Sequence, residues 1–262
     1  MVPARQLSDK EEILAFLVTD RLYAAYAIGD LEPGMFEQSS WIGVEGSGGL
    51  MAVVLEFRGL TLPVLFLMGD PLGLGVALES MQRPERAYLT CRAEHTVTTL
   101  HFYDWESTEP MWRMVLDRRR FHPLPGKCVQ LGPEHAQALV ELYAAGGGDA
   151  FHTQQLERGF YYGVFAEGRL VAAAGTHVVS PTHSVAALGN VFTHPHYRGR
   201  GFGAVTASAV TAELLRLGIR DIVLNVSQAN STAASMYERL GFRRYCAFLE
   251  GPARRREQTL GV

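Results

Sequence analysis

The sequence predicts an α+β (mixed α/β) protein of two domains, each a mostly antiparallel sheet flanked by helices. Three observations carry that reading. Short apolar runs joined by turn signals, such as 41–44 and 51–57 around Glu45-Gly46-Ser47-Gly48-Gly49, alternate with stretches of helical period. The segment Phe121-His122-Pro123-Leu124-Pro125-Gly126-Lys127 resists both helix and sheet. After it the pattern restarts, helices first and an antiparallel meander next, which places the domains at 1–122 and 123–262. No residue-level repeat relates the two halves.

Along the first half, Ser8-Asp9-Lys10-Glu11 has the capping-box pattern and opens a helix carrying Ile13, Leu14, Phe16 and Leu17. A second helix is expected over 21–28, ending near Gly29. The 41–57 hairpin follows, then a strand over 64–68, a turn at Gly69-Asp70-Pro71-Leu72-Gly73-Leu74-Gly75 and a helix over 76–81. Strands are expected at 88–92 and 111–116, with a less regular alternation over 95–103.

In the second half, a short strand at 128–131 precedes a helix over 135–143 and another from Thr153. The strands 161–165 and 170–179 form a hairpin across Ala166-Glu167-Gly168-Arg169. A strand over 185–193, a long helix over 202–217, a buried-type strand over 221–226, a helix over 230–240 and a last strand over 243–249 complete the order.

At 262 residues, either half can bury a core. Net charge is −3, and the clusters Arg118-Arg119-Arg120 and Arg254-Arg255-Arg256 are short, so a nucleic-acid partner is not expected. Cys91, Cys128 and Cys246 are scattered, with neither CxxC nor metal-ligand spacing; no metal is expected, and thiols in a reducing compartment are. No stretch has the length of a membrane span and no signal-peptide core is seen, so the expectation is a cytoplasmic protein without a membrane partner. Oligomeric state is not readable.

The chemistry concentrates in Val191-Phe192-Thr193-His194-Pro195-His196-Tyr197-Arg198-Gly199-Arg200-Gly201-Phe202-Gly203-Ala204. An apolar strand breaks at a proline, passes a turn of glycines and arginines, and enters a long helix. The first N–H groups of a helix have no partner within it and share the positive end of its dipole, a setting for an anion. The glycines would let backbone approach a diphosphate, and Arg198 and Arg200 add charge. Taken alone, such a turn serves equally well as a tight corner. It is not a Walker loop, since no Lys-Ser/Thr follows.

Together with the residues downstream, the segment 185–242 resembles the GNAT (Gcn5-related N-acetyltransferase) superfamily. Arg198, Gly201 and Gly203 match its Arg/Gln-x-x-Gly-x-Gly/Ala turn. Asn230, Ala233, Tyr237, Gly241 and Phe242 match an Asn-x-x-Ala-x-x-x-Tyr-x-x-x-Gly-Phe helix. The layout also resembles tandem GNAT proteins, with a first domain that lacks the coenzyme turn and a catalytic second one.

The resemblance implies acetyl-CoA as co-substrate and an acceptor that is a small-molecule amine or amino acid. Longer acyl-CoA, a protein acceptor and a non-catalytic acyl-CoA sensor remain open. It implies that Val191, Phe192 and Thr193 offer backbone hydrogen bonds to the acyl-CoA, that Gly199, Arg200, Gly201, Phe202, Gly203 and Ala204 wrap its pyrophosphate with Arg198 at the rim, and that Asn230 contacts its arm. Asn230 is equally a helix N-cap. Tyr237 matches the general acid that protonates the departing thiolate; a phenol, with a free pKa of about 10, suits that transfer.

Where some members carry a glutamate, five residues before Asn230, this chain has Asn225, and an amide cannot take the amine's proton. His177 is a candidate base and Asn190 a candidate for orienting the substrate. Both are also ordinary strand residues. The segment 146–162, with Phe151, His152, Phe160, Tyr161 and Tyr162, is expected to cover the acceptor as an aromatic wall, and the same residues also suit a core.

Overall fold

The computed structural model describes residues 3–147 and 151–257. Two compact units emerge. Unit 1 holds the residues up to Trp112, Ser227–Ala229 and those from Cys246 on, and unit 2 holds Arg113–Val226 with Asn230–Tyr245.

Unit 1 opens with β1 (Ala4–Leu7), α1 (Lys10–Leu17) and α2 (Ala25–Gly29). Asp9 caps α1, its carboxylate accepting from the Glu11 N–H at 2.8 Å. The helix expected over 21–28 forms only from Ala25; residues 21–24 are a turn that follows the 3₁₀ turn at Val18–Asp20. β2 (Ser39–Gly46) and β3 (Gly49–Phe57) make the expected hairpin, and β4 (Val64–Gly69) lies antiparallel beside β3.

α3 (Pro71–Ser80) begins earlier than expected. The glycine-rich stretch read as a turn is its first half: Asp70 accepts from the Leu72 and Gly73 N–H groups at 2.9 and 3.2 Å, and Pro71 sits in the first turn where its missing N–H costs nothing. β5 (Arg86–Cys91) pairs parallel with β4, from Val64 opposite Tyr88 to Phe66 opposite Thr90. The irregular stretch 95–103 is mostly helix, α4 (Thr96–Phe102), followed by the short β6 (Tyr103–Trp105). The helices α3 and α4 cover one sheet face over a core that includes Val54, Leu67, Leu74, Leu78, Leu89 and Phe102.

β7 (Glu109–Leu116) contributes residues to both units. Unit 2 continues with β8 (Val129–Leu131), α5 (Ala136–Tyr143), α6 (Gln155–Arg158), β9 (Tyr161–Ala166), β10 (Arg169–Ser180), β11 (Val185–Thr193), α7 (Phe202–Arg216), β12 (Asp221–Ser227) and α8 (Ser231–Arg239). Its strands lie in the order β12-β11-β10-β9-β8, with β11–β12 parallel and the others antiparallel. Strand alternation sends neighbouring residues to opposite faces. Ala172 packs in a cluster with Val164, Tyr197 and Phe202, whereas Ala173 packs with Leu139, Leu142 and Leu156 of α5 and α6; Val171, at an irregularity in the β9–β10 register, joins the first cluster.

The last strand, β13 (Phe242–Arg255), is longer than the expected 243–249, and its second half belongs to unit 1. There Leu249–Arg254 pairs antiparallel with β5 and Ala253–Arg255 with β6. The units are therefore not contiguous in sequence as 1–122 and 123–262 would be. The Pro/Gly segment at 121–127 is irregular, as expected, yet it lies within unit 2: the Leu124 N–H donates to Ser208 Oγ at 2.9 Å, and a side chain at Gly126 would press on Val205, both on α7.

Candidate active site

β11 and β12 pair from Val185/Asp221 to Leu188/Leu224 and then part, leaving Gly189–Thr193 on one side and Asn225 and Val226 on the other. A bulge in β11 lies at the parting. Between the pairs Phe192/Ala173 and Gly189/Gly175, β11 moves from 192 to 189 while β10 moves only from 173 to 175. Asn190 sits in that bulge with φ of +50°, a left-handed conformation that asparagine tolerates better than most residues.

Past Thr193, the His194 ring accepts from the His196 N–H at 3.3 Å and a 3₁₀ turn covers Pro195–Tyr197. Gly199 and Gly201 then adopt φ of +78° and +79°, where a side chain would cost roughly 1–2 kcal/mol. A Cβ at either would meet nothing within 4 Å, so the turn faces open space. Gly201 is the N-cap of α7 and no side chain caps that helix. The first-turn N–H groups, which no residue within the helix can accept, stay free for an outside anion. Arg200 lies over the Tyr197 ring at 5.0 Å, and Arg198 donates from Nε to the Thr193 carbonyl at 3.2 Å.

The corresponding helix start in unit 1 is built the other way. There the Asp70 carboxylate already occupies the N-terminus of α3, after the parallel pair β4–β5. An added anion would meet a negative charge. Of these two helix starts, the one at α7 is left without a capping carboxylate.

The family described as Acetyltransferase (GNAT) family matches residues 130–242. This part of the chain is a GNAT-family acetyltransferase domain. Solved structures carry the likeness across both units. A Drosophila protein is similar with 16% identity and a TM-score of 0.69, over 97% of this chain and 99% of that one. A tandem GNAT protein from the clavulanic acid biosynthesis pathway is similar with 16% identity and a TM-score of 0.61, over 97% and 98%. A GCN5-related N-acetyltransferase from Kribbella flavida is similar with 17% identity and a TM-score of 0.61, over 92% and 96%. At these identities the likeness is one of fold. No curated protein matches the chain.

Within the GNAT domain, Asn230 Oδ1 accepts from the Ala233 N–H at 3.0 Å, so the residue caps α8. The residue as a whole is exposed. Tyr237, on α8, is 6% exposed and packs edge-on against Phe242, with ring centroids 5.9 Å apart. Asn225, on β12 just past the last pair with β11, has its Oδ1 buried without a hydrogen-bond partner among the described residues.

Asn190 is the centre of a polar cluster that sequence reasoning found only in part. Its Nδ2 donates to the Tyr161 hydroxyl at 2.7 Å and to Gln155 Oε1 at 3.1 Å, and its carbonyl accepts from the Tyr143 hydroxyl at 2.7 Å. Tyr161 also donates to Gln155 Oε1, at 2.9 Å. Burial pushes both tyrosine hydroxyls well above the ordinary phenol range, so they stay protonated. Nothing in the local pattern of Gln155 and Tyr143 marks them; tertiary packing alone brings them to the bulge.

His177 lies on β10 with its ring directly over Gly189, where any side chain would overlap it. Burial pushes its pKa down to about 4, a hydrogen bond with Asn190 partly offsetting the effect. Of the expected aromatic wall, Phe151 and Tyr161 instead join Tyr143 and Phe192 in the core between the sheet and α5. His152 is exposed, Phe160 and Tyr162 are half-buried, and residues 148–150 of that segment lie outside the described ones. Among the described residues no group of three or more His, Cys, Asp or Glu is placed to hold a metal, and no helix is long and apolar enough to cross a membrane.

Proposed function

We propose that this chain transfers an acetyl group from acetyl-CoA to the primary amine of a small molecule or amino acid. The uncapped start of α7, behind two left-handed glycines and beside the parting of β11 and β12, carries the reading. Gly199 to Ala204 would bind the pyrophosphate through backbone N–H groups, with Arg198 and Arg200 neutralising charge. Val191 to Thr193, free of β12, would hold the pantetheine arm by backbone hydrogen bonds, and the exposed Asn230 would contact it. The coenzyme supplies a thioester whose carbonyl carbon an amine attacks directly.

In this scheme the protein supplies orientation first, the largest aid available to a bimolecular transfer. Tyr237 would give its phenolic proton to the departing sulfur. The incoming amine must lose a proton, and no carboxylate stands at position 225 to accept it. His177 is a weak base, held down to about 4 by burial. The reading therefore has the amine arriving neutral and, after attack, passing its nitrogen proton to water while Tyr237 protonates the sulfur. Asn225, with its Oδ1 unpartnered among the described residues, would orient the amine, and Asn190, its amide held by Tyr161 and Gln155, would fix the bulge.

The test is thiol release from acetyl-CoA across a panel of primary amines, repeated with longer acyl-CoAs. Turnover with acetyl-CoA and a small amine, with kcat/KM rising with pH towards the amine's own pKa, is expected. Coenzyme binding with no thiol release from any amine, peptide included, would replace this reading with that of an acyl-CoA sensor.

A further inference from the structure

At the far end of α8 from Asn230, unit 2 carries a cleft of about 480 Å³ lined by Arg120, Glu238, Phe242, Arg243 and Arg244. The nine residues of α8 span about 13 Å, so this cleft is remote from the Asn230 end of the helix. Two arginine groups distant in sequence meet here. The turn after β7 is held against the corner between α8 and β13: the Asp117 N–H donates to the Gly241 carbonyl at 2.9 Å, and Gly241 approaches Arg120 so closely that a Cβ would come within 2.9 Å of its backbone. Arg118 fixes the same turn by donating to the carbonyls of Ile219 and Arg220.

The charges in the cleft do not balance. Its lining has one carboxylate, Glu238, and Arg244 Nε already holds that at 3.0 Å. Arg120 and Arg243 are exposed and make no side-chain hydrogen bond or ion pair among the described residues. Exposed guanidiniums that line one cleft without a carboxylate of their own suit an oxyanion, since each can form two parallel hydrogen bonds to phosphate oxygens.

We propose that this cleft binds a small, multiply charged oxyanion of the polyphosphate class, at a site separate from the coenzyme turn. The site is open to solvent, and its lining of five residues and volume of about 480 Å³ favour a compact ligand. A chain of net charge −3 without a broad basic face is poorly matched to a nucleic-acid backbone. The Phe242 floor packs against Tyr237, so a bound anion would lie one ring away from the proposed general acid.

The experiment titrates the full chain with inorganic triphosphate by calorimetry, with and without saturating coenzyme A, over a range of salt. One binding event should persist when the coenzyme is saturating and weaken as salt rises. Arg120→Ala with Arg243→Ala should weaken it at least tenfold, leave coenzyme A affinity and melting temperature unchanged, and be partly rescued by Lys at both positions. Unchanged triphosphate affinity in the double variant would overturn the proposal, as would no binding at low salt. Tighter binding of a short duplex or an acidic peptide through the same arginines would assign the cleft to a macromolecule instead. The measurement is of binding alone, so its outcome is independent of whether acetyl transfer is found.

Discussion

Asn190 donates its side-chain amide to the Tyr161 hydroxyl at 2.7 Å from a backbone held at φ +50°. The same residue thus supplies a left-handed bulge and satisfies a fully buried phenol. The bulge lies where β11 leaves β12, so the conformation of one residue bears on the opening of the gap.

Substitution at Asn190 separates the two roles. Asn190→Ala loses the amide's hydrogen bonds and keeps the unfavourable φ, together about 2 kcal/mol. Asn190→Gly loses only the hydrogen bonds. The denaturant midpoint should fall from wild type to Gly to Ala; an Ala variant as stable as the Gly variant would show that the backbone there is unstrained.

Gly201→Ala places a Cβ at φ +79° in the N-cap of α7. Adjustment of the turn would move the first N–H groups off the anion. Coenzyme A affinity is expected to drop at least tenfold, and the strained left-handed backbone should cost roughly 1–2 kcal/mol of stability even though the turn faces open space. Equal affinity would remove the turn from the binding site.

Tyr237→Phe keeps the ring on Phe242 and removes the proton. Turnover should fall by roughly 10²–10⁴-fold, with coenzyme affinity retained. A variant as fast as wild type would remove Tyr237 from the proton path.

Asp30 is 8% exposed, and burial pushes its pKa up to about 8. An unfolded aspartate titrates near 3.9. As pH rises between these values the unfolded chain sheds the proton while the folded one keeps it, so this residue makes stability fall with pH. Asp30→Asn should lose that slope and raise the melting temperature at pH 8 more than at pH 5. Equal shifts at both pH values would show that the acid titrates normally.

Local pattern was a good guide wherever a covalent or short-range rule decides the outcome. The turn at Arg198 to Gly203 is readable because positive φ demands glycine, and the hairpins are readable from alternation. The start of α3 was missed because Gly73 and Gly75 look like breakers, whereas the Asp70 cap and Pro71 outweigh their low helix propensity. The Gln155–Asn190–Tyr161 cluster was legible only in Asn190 and Tyr161, since Gln155 reaches it through the fold. The arginines at 120 and 243 were equally opaque: one stands in a short basic cluster, the other opens the expected last strand, and only the contact of Gly241 with the turn at Arg120 brings them together.

β13 also bears on how the protein is made. Unit 1 leaves the ribosome first but gains the strand beside β5 only when residues 249–254 have been synthesised. Its sheet is therefore completed last, after every helix of unit 2 has been translated. A nascent chain halted after Tyr245 would carry all of unit 2 and an unfinished unit 1, so a break within β13 acts on a sheet whose other strands precede Arg113.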